Sequence, residues 1–142
     1  YRQLGEGVQT LVHGDVRLDN IMFGDGSSAR PVLLIDWQGF MKTKGMQDVA
    51  YLLTQNLHTS DRRVHTDALL DRYLAGLAAH GVSYDRDEAW ADYRQCSLGM
   101  FGYAVVIAGT LDPSNERGVS FMTALVERAC AAFADLELAD LL

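Results

Sequence analysis

Around Asp36 the hydrophobic pattern of this chain changes period, and that change limits the possible fold more than any other feature of the sequence. Before it lie three short apolar runs, Val8–His13 (VQTLVH), Asn20–Phe23 (NIMF) and Pro31–Ile35 (PVLLI), separated by polar and glycine-rich stretches. Runs of this length and composition predict strands. The stretch Gly24–Arg30 (GDGSSAR) between the last two suits a hairpin connection. After Asp36 the residues Val49, Leu52, Leu53 and Leu57 share one face at helical spacing, which predicts a helix over 45–57. Three further helices are expected. The first runs from a Ser60 cap to about His80, with Leu69, Leu70, Tyr73, Leu74 and Leu77 inward and Gly81 as its stop signal. The others span about 87–110 and, after Pro113, about 114–136. A small β part followed by a long helical part is an α+β architecture. Gly99, Gly102 and Gly109 fall inside the third of these four helices and each costs it about 1 kcal/mol relative to alanine, so they point to close helix packing or a break.

The chain has 142 residues, 49% of them hydrophobic, enough to bury a core in one domain, and no repeat, low-complexity tract or linker divides it. Its net charge of -7 leaves no basic surface to neutralise the phosphates of a nucleic acid. The acidity is concentrated late: residues 1–60 carry 5 basic and 6 acidic groups, residues 61–142 carry 7 and 13. That pattern reads as solvated helix faces, with attraction of a cationic substrate as the alternative. Cys96 and Cys130 lie far apart without metal-ligand spacing, and both are expected to be reduced core residues. No secretory signal opens the sequence, and the longest apolar run, Leu98 to Leu111, is shorter than the roughly 20 residues that span a bilayer. A cytoplasmic protein without membrane or nucleic-acid partners is the expectation. Because the chain opens at Tyr1 and enters its densest motif within a dozen residues, it reads as a fragment of a longer protein.

That motif is His13-Gly-Asp-Val-Arg-Leu-Asp-Asn-Ile-Met-Phe23, followed by Leu33-Leu-Ile-Asp-Trp-Gln38. Phosphoryl transfer from ATP asks for a carboxylate to orient the acceptor hydroxyl and oxygen ligands for Mg²⁺, all on one rigid scaffold. Asp15 and Asn20 stand five residues apart on a loop between strands, the separation of the kinase H-R-D-x-x-x-x-N loop, and Asp36 ends a later strand where a second metal ligand belongs.

Taken in order, HGDVRLDNIMF, LIDWQ and GMQDVAYLL resemble the aminoglycoside phosphotransferase and choline-kinase-like superfamily, most of all its ecdysteroid-kinase-like branch. The resemblance covers about residues 8–57, a catalytic and metal-binding core. It leaves 58–142 as a helical, substrate-side region of a single protein-kinase-like C-terminal lobe, mostly helical, with a small β-hairpin carrying the catalytic and metal-binding loops. It implies Asp15 as the catalytic base, Asn20 and Asp36 as the Mg²⁺ ligands that meet ATP, and Arg17 as a contact for the transferring phosphoryl group, with a surface ion pair as the alternative for Arg17. It implies structural support from His13, beneath the metal-binding segment, and from Asp48, which braces the catalytic loop. Asp19 reads as a solvated turn residue and Trp37 as a packing anchor. Only 11 residues separate Asp36 from Asp48, too few for a protein-kinase activation segment, and Gly14 stands where a protein kinase has its arginine. The implied acceptor is therefore a small hydroxylated molecule; ecdysteroid-like, aminoglycoside-like, choline-like and homoserine-like acceptors all fit the motif.

Leu4-Gly-Glu-Gly7 imitates the start of a glycine-rich nucleotide loop, but the catalytic loop follows too soon for a lysine-bearing strand to intervene. The nucleotide lobe is thus expected in a preceding part of the same protein. Two other functions stay open at this point: a non-catalytic scaffold with a kinase-like fold, and a metal-dependent phosphoester hydrolase. Against the latter, no histidine-rich segment follows, and His58, His65 and His80 fall on polar helix faces.

Overall fold

A computed structural model describes residues 9–26, 30–110, 114 and 116–142 of the chain, with only the backbone of Glu116 and Arg117. Leu4–Gly7, Val8, Ser27–Ala29, Leu111 and Pro113, on which parts of the sequence reading fall, lie outside the described residues.

Four strands precede the helices: β1 (Thr10–Val12), β2 (Ile21–Phe23), β3 (Val32–Leu34) and β4 (Met41–Thr43). They form two separate antiparallel pairs, β1 with β4 and β2 with β3. Three strands are expected from the sequence and β4 is a fourth, whose three residues, Met-Lys-Thr, have no alternation long enough to register. Its partner makes it a strand: Thr10 pairs with Thr43, Leu11 with Lys42 and Val12 with Met41. This pairing brings the two ends of the motif together. A Cβ on Gly14 would meet the Gly39 carbonyl oxygen at 2.3 Å, and with φ at +80° Gly14 occupies a conformation that suits only glycine.

The helices are α1 (Met46–Tyr51), α2 (Thr59–Ala79), α3 (Arg86–Thr110) and α4 (Glu116–Asp135). The chain leaves α1 through a π-helical turn, Leu52–Asn56, so the helix expected over 45–57 is continuous in path but changes its hydrogen bonding halfway. Ser60 does not cap α2: the cap position falls two residues earlier, at His58, which makes no side-chain cap. Its end follows the sequence signal. Gly81 at φ +79° takes the left-handed conformation, Val82 N–H reaches the Leu77 carbonyl at 3.0 Å and Gly81 N–H reaches that of Ala78 at 3.0 Å, a Schellman ending. The buried residues of α2 are Arg62, Thr66 and Leu70, and Leu69, expected inward, is exposed. On this face Arg62 pairs with Asp135 at the end of α4, and Arg63 grips the same carboxylate at 2.7 and 3.0 Å. Those partners, Arg63 first, hold the Asp135 carboxyl below its usual range against the opposing effect of burial.

α3 is capped by Asp85, whose Oδ1 accepts the N–H groups of Asp87 at 2.9 Å and Glu88 at 3.0 Å. It runs unbroken through Gly99, Gly102 and Gly109, and a Cβ added at any of them would meet nothing within 4 Å among the described residues, so these glycines mark neither a break nor close packing there. The core gathers on the other faces: Met46 and Ala50 of α1 and Tyr93, Cys96 and Met100 of α3 join Ala132 and Leu136. In α4 and just beyond it, Leu125, Ala129, Ala132 and Leu136 recur at alternating four- and three-residue steps, the stripe of an amphipathic helix. Cys96 is buried, whereas Cys130, off that stripe, is exposed rather than part of the core. The architecture is α+β and mostly helical, and no helix among the described residues is long and apolar enough to cross a membrane.

Candidate functional site

Everything in the candidate site hangs on one turn between β1 and β2. As the chain leaves β1, two consecutive backbone N–H groups point the same way, and Asp48, in the first turn of α1, accepts both: His13 N–H on Oδ2 at 2.6 Å and Gly14 N–H on Oδ1 at 3.0 Å. The His13 ring is fully buried between two backbone groups. Nε2 lies 2.7 Å from the Ile35 carbonyl oxygen and Nδ1 lies 3.2 Å from the Asp15 N–H. A carbonyl demands a donor and an N–H demands an acceptor, which fixes the tautomer with its proton on Nε2. His13 thereby links the β1–β2 loop to the end of β3. Trp37 lies over it, ring centroids 4.7 Å apart, with Nε1 donating to the Leu34 carbonyl at 3.0 Å.

Asp15 is the most heavily engaged carboxylate of the loop. Its Oδ1 accepts from the Tyr51 hydroxyl at 3.0 Å and its Oδ2 from the Asn20 amide at 3.1 Å. The Arg17 Nε lies 3.1 Å from Oδ1 and 3.3 Å from Oδ2. Asn20, buried at the end of the short turn Leu18–Asn20, also donates to the Asp15 backbone carbonyl at 2.9 Å. Because its amide nitrogen is committed to Asp15, its oxygen is the end left to act as an acceptor. Arg17 is about a third exposed and sits between Asp15 and Asp19; the Asp19 contact is looser, at 3.9 Å, and Asp19 is largely solvated. Phe121 of α4 lies beneath the Arg17 guanidinium, 5.9 Å from centroid to Cζ.

The hairpin brings Asp36 to the same edge. Ile21 pairs with Leu34, and one step on the Ile35 N–H donates to the Asn20 carbonyl at 3.0 Å, so Asp36 follows directly after the residue opposite Asn20. Asp36 is exposed and takes the left-handed conformation, φ 62° and ψ 58°, and its carboxylate makes no capping hydrogen bond to the turn Trp37–Gly39. Aspartate is among the few non-glycine residues that adopt this conformation with any frequency. Asn20 and Asp36 offer oxygen only, the donor set of a hard cation such as Mg²⁺, which binds through one or two protein groups and completes its shell with water and phosphate oxygens. Among the described residues no three His, Cys, Asp or Glu side chains gather into a metal cluster of their own.

Three residues that the sequence motifs do not single out complete the frame. Tyr51, the last residue of α1, is 3% exposed, and burial, the neighbouring Tyr103 and Asp15 together push its hydroxyl far above the usual phenol range, so it remains a donor. Asn56 ends the π-helical turn and ties it to the loop: its Oδ1 accepts the Leu18 N–H at 3.0 Å, and its Nδ2 lies 3.3 Å from the Val16 carbonyl and 3.2 Å from that of Tyr51. From α4, Arg128 caps the same turn by donating to the carbonyls of Gln55 at 3.0 Å and Asn56 at 3.2 Å. Within a strongly apolar helical run Tyr51 reads as core, and the polar Asn56 near the end of that run is the one local signal. An apolar groove of about 750 Å³ between the β2–β3 hairpin and α2 reaches this region through Leu18 and is lined by none of Asp15, Asn20 or Asp36.

Compared with known proteins, the chain matches the model of the Ecdysteroid kinase-like family over residues 2–83, more than half of its length and all of the site described above except the α4 contributions and Tyr103. No curated protein and no solved structure matches it.

Proposed function

The chain belongs to the ecdysteroid kinase-like family, and from that premise we propose that it is the catalytic part of an ATP-dependent phosphotransferase acting on a hydroxyl group of a small molecule. The observation that carries the proposal is the joining of Asp15 to Asn20 through two hydrogen bonds on one braced loop, with Asp36 at the facing strand end. In this reading Asp15 orients the acceptor hydroxyl and takes up its proton as the oxygen bonds to the γ-phosphorus of ATP and the bond from that phosphorus to the β–γ bridging oxygen breaks, releasing ADP. Asn20 Oδ1 and the Asp36 carboxylate would hold Mg²⁺, which would supply neutralisation of charge on the ATP phosphate oxygens. Arg17 turns from Asp15 toward the transferring phosphoryl group, a move that its partial exposure allows. His13 and Asp48 keep the loop in place and touch no substrate. The absence of a three-ligand cluster among the described residues favours this chemistry over a two-metal hydrolase.

The proposal extends to a preceding lobe of the same protein that holds the adenine and the α- and β-phosphates, and to a cytoplasmic setting. Exposed apolar side chains on one face of the β2–β3 hairpin, Met22 and the Leu33 opposite it, support a covering lobe on that side. The test is transfer of labelled γ-phosphate by the full-length protein, in Mg²⁺, to an ecdysteroid and then to an aminoglycoside, choline and homoserine, with product identified by mass spectrometry. Phosphorylation of one acceptor class is the expected result. Tight MgATP binding with neither transfer nor hydrolysis would assign the chain to a scaffold instead.

A further inference from the structure

We propose that Tyr51 is a positioning residue for Asp15, holding the plane of its carboxylate so that one lone pair of each oxygen stays available to the acceptor. The inference rests on the phosphotransferase reading above. A carboxylate at the end of a single Cβ–Cγ bond turns freely unless both oxygens are fixed. Here each oxygen has a dedicated neutral donor, the Tyr51 hydroxyl at 3.0 Å on Oδ1 and the Asn20 amide at 3.1 Å on Oδ2. The third donor, Arg17, is about a third exposed and reaches both oxygens, which makes it the contact that is able to leave. Tyr51 is not: it is 3% exposed, its ring stands edge-on to Tyr103 with centroids 5.9 Å apart, and its backbone carbonyl is tied by Asn56, which also holds the loop at Val16 and Leu18. Tyrosine and loop are therefore kept in register by the same amide. Each carboxylate oxygen accepts two hydrogen bonds, so the Tyr51 contact fixes Oδ1 without using it up. Preorganisation of this kind matters most for a base that has to meet a proton at hydrogen-bond distance.

The experiment is a double-mutant cycle with Tyr51→Phe and Asp15→Asn in the full-length protein, measuring MgATP turnover with water as the acceptor, KM for MgATP, and melting temperature. Tyr51→Phe keeps the ring and its contacts and removes only the hydroxyl. It is expected to lower kcat roughly 10-fold, the effect of one hydrogen bond to a charged group, with KM for MgATP changed less than about twofold, and to have no further effect in the Asp15→Asn background. Turnover equal to wild type, or the same fractional loss in both backgrounds, would overturn the inference and leave the phosphotransferase reading standing. Undiminished turnover in Asp15→Asn would remove the reading on which it depends, and the inference with it. Should Tyr51→Phe melt well below the wild type, the two backgrounds still decide, because a folding defect lowers turnover by the same factor with Asp15 present and in the Asp15→Asn background, and that result overturns the inference.

Discussion

Both oxygens of Asp48 are taken by consecutive backbone N–H groups, and an amide in its place offers only one acceptor. Asp48→Asn should therefore leave the N–H of His13 or of Gly14 facing an NH₂ group, at a cost of about 2–3 kcal/mol. Urea denaturation would register this as a lower midpoint with unchanged slope; a midpoint equal to wild type would mean that the two bonds contribute nothing to folding. At this scale the sequence showed polar residues where they interrupt apolar strands. His13, Asp15, Asn20 and Asp36 stand out by their spacing within the motif, and the structure brings them to neighbouring positions around the β1–β2 loop and the end of β3. Tyr51 stayed hidden because a tyrosine on the apolar face of a helix looks like core, and it is buried. Only three-dimensional contact reveals that its hydroxyl ends on Asp15. Cys130 shows the opposite error, an apolar type assumed to be inside that falls off the buried stripe of its helix.

Among the elements, the helices were legible to within a residue or two at most ends because twenty or more residues average out local accidents; α3 was expected over 87–110 and spans Arg86–Thr110. A three-residue strand has no such averaging. β4 exists because β1 pairs with it, a long-range fact that no local pattern carries. The π-helical turn is similar: Arg128 of α4 satisfies its last two carbonyls and its own Asn56 ties its end to the loop at Val16 and Leu18, contacts that no local pattern carries. The glycines of α3 set a sharper test. Gly102 is exposed in mid-helix with open space where a Cβ would go, so Gly102→Ala should raise stability by about 0.5–1 kcal/mol, the intrinsic helical preference for alanine. Loss of stability on denaturation would show that this face is covered by something the described residues do not supply.

For the molecule as a whole, the helical part serves the loop. Tyr51 and Asp48 come from α1, Asn56 from the π-helical turn, and Arg128 reaches in from α4, so the small β elements that carry Asp15, Asn20 and Asp36 are held in place by helices far along the chain. This division of labour also explains what the sequence left unread: the motif is local and the frame is not. The central claim is that Asp15 acts on the acceptor while nucleotide is held elsewhere, and Asp15→Asn tests it most directly. The replacement is nearly isosteric, and the loop keeps its ties to Asp48 and His13. With the full-length protein and an acceptor found by the transfer assay, turnover should fall by roughly 10²–10⁴-fold, the usual contribution of a positioned base, while MgATP affinity measured by calorimetry stays within about twofold, because nucleotide is held by groups other than Asp15. Turnover undiminished in the variant would contradict the account at its centre.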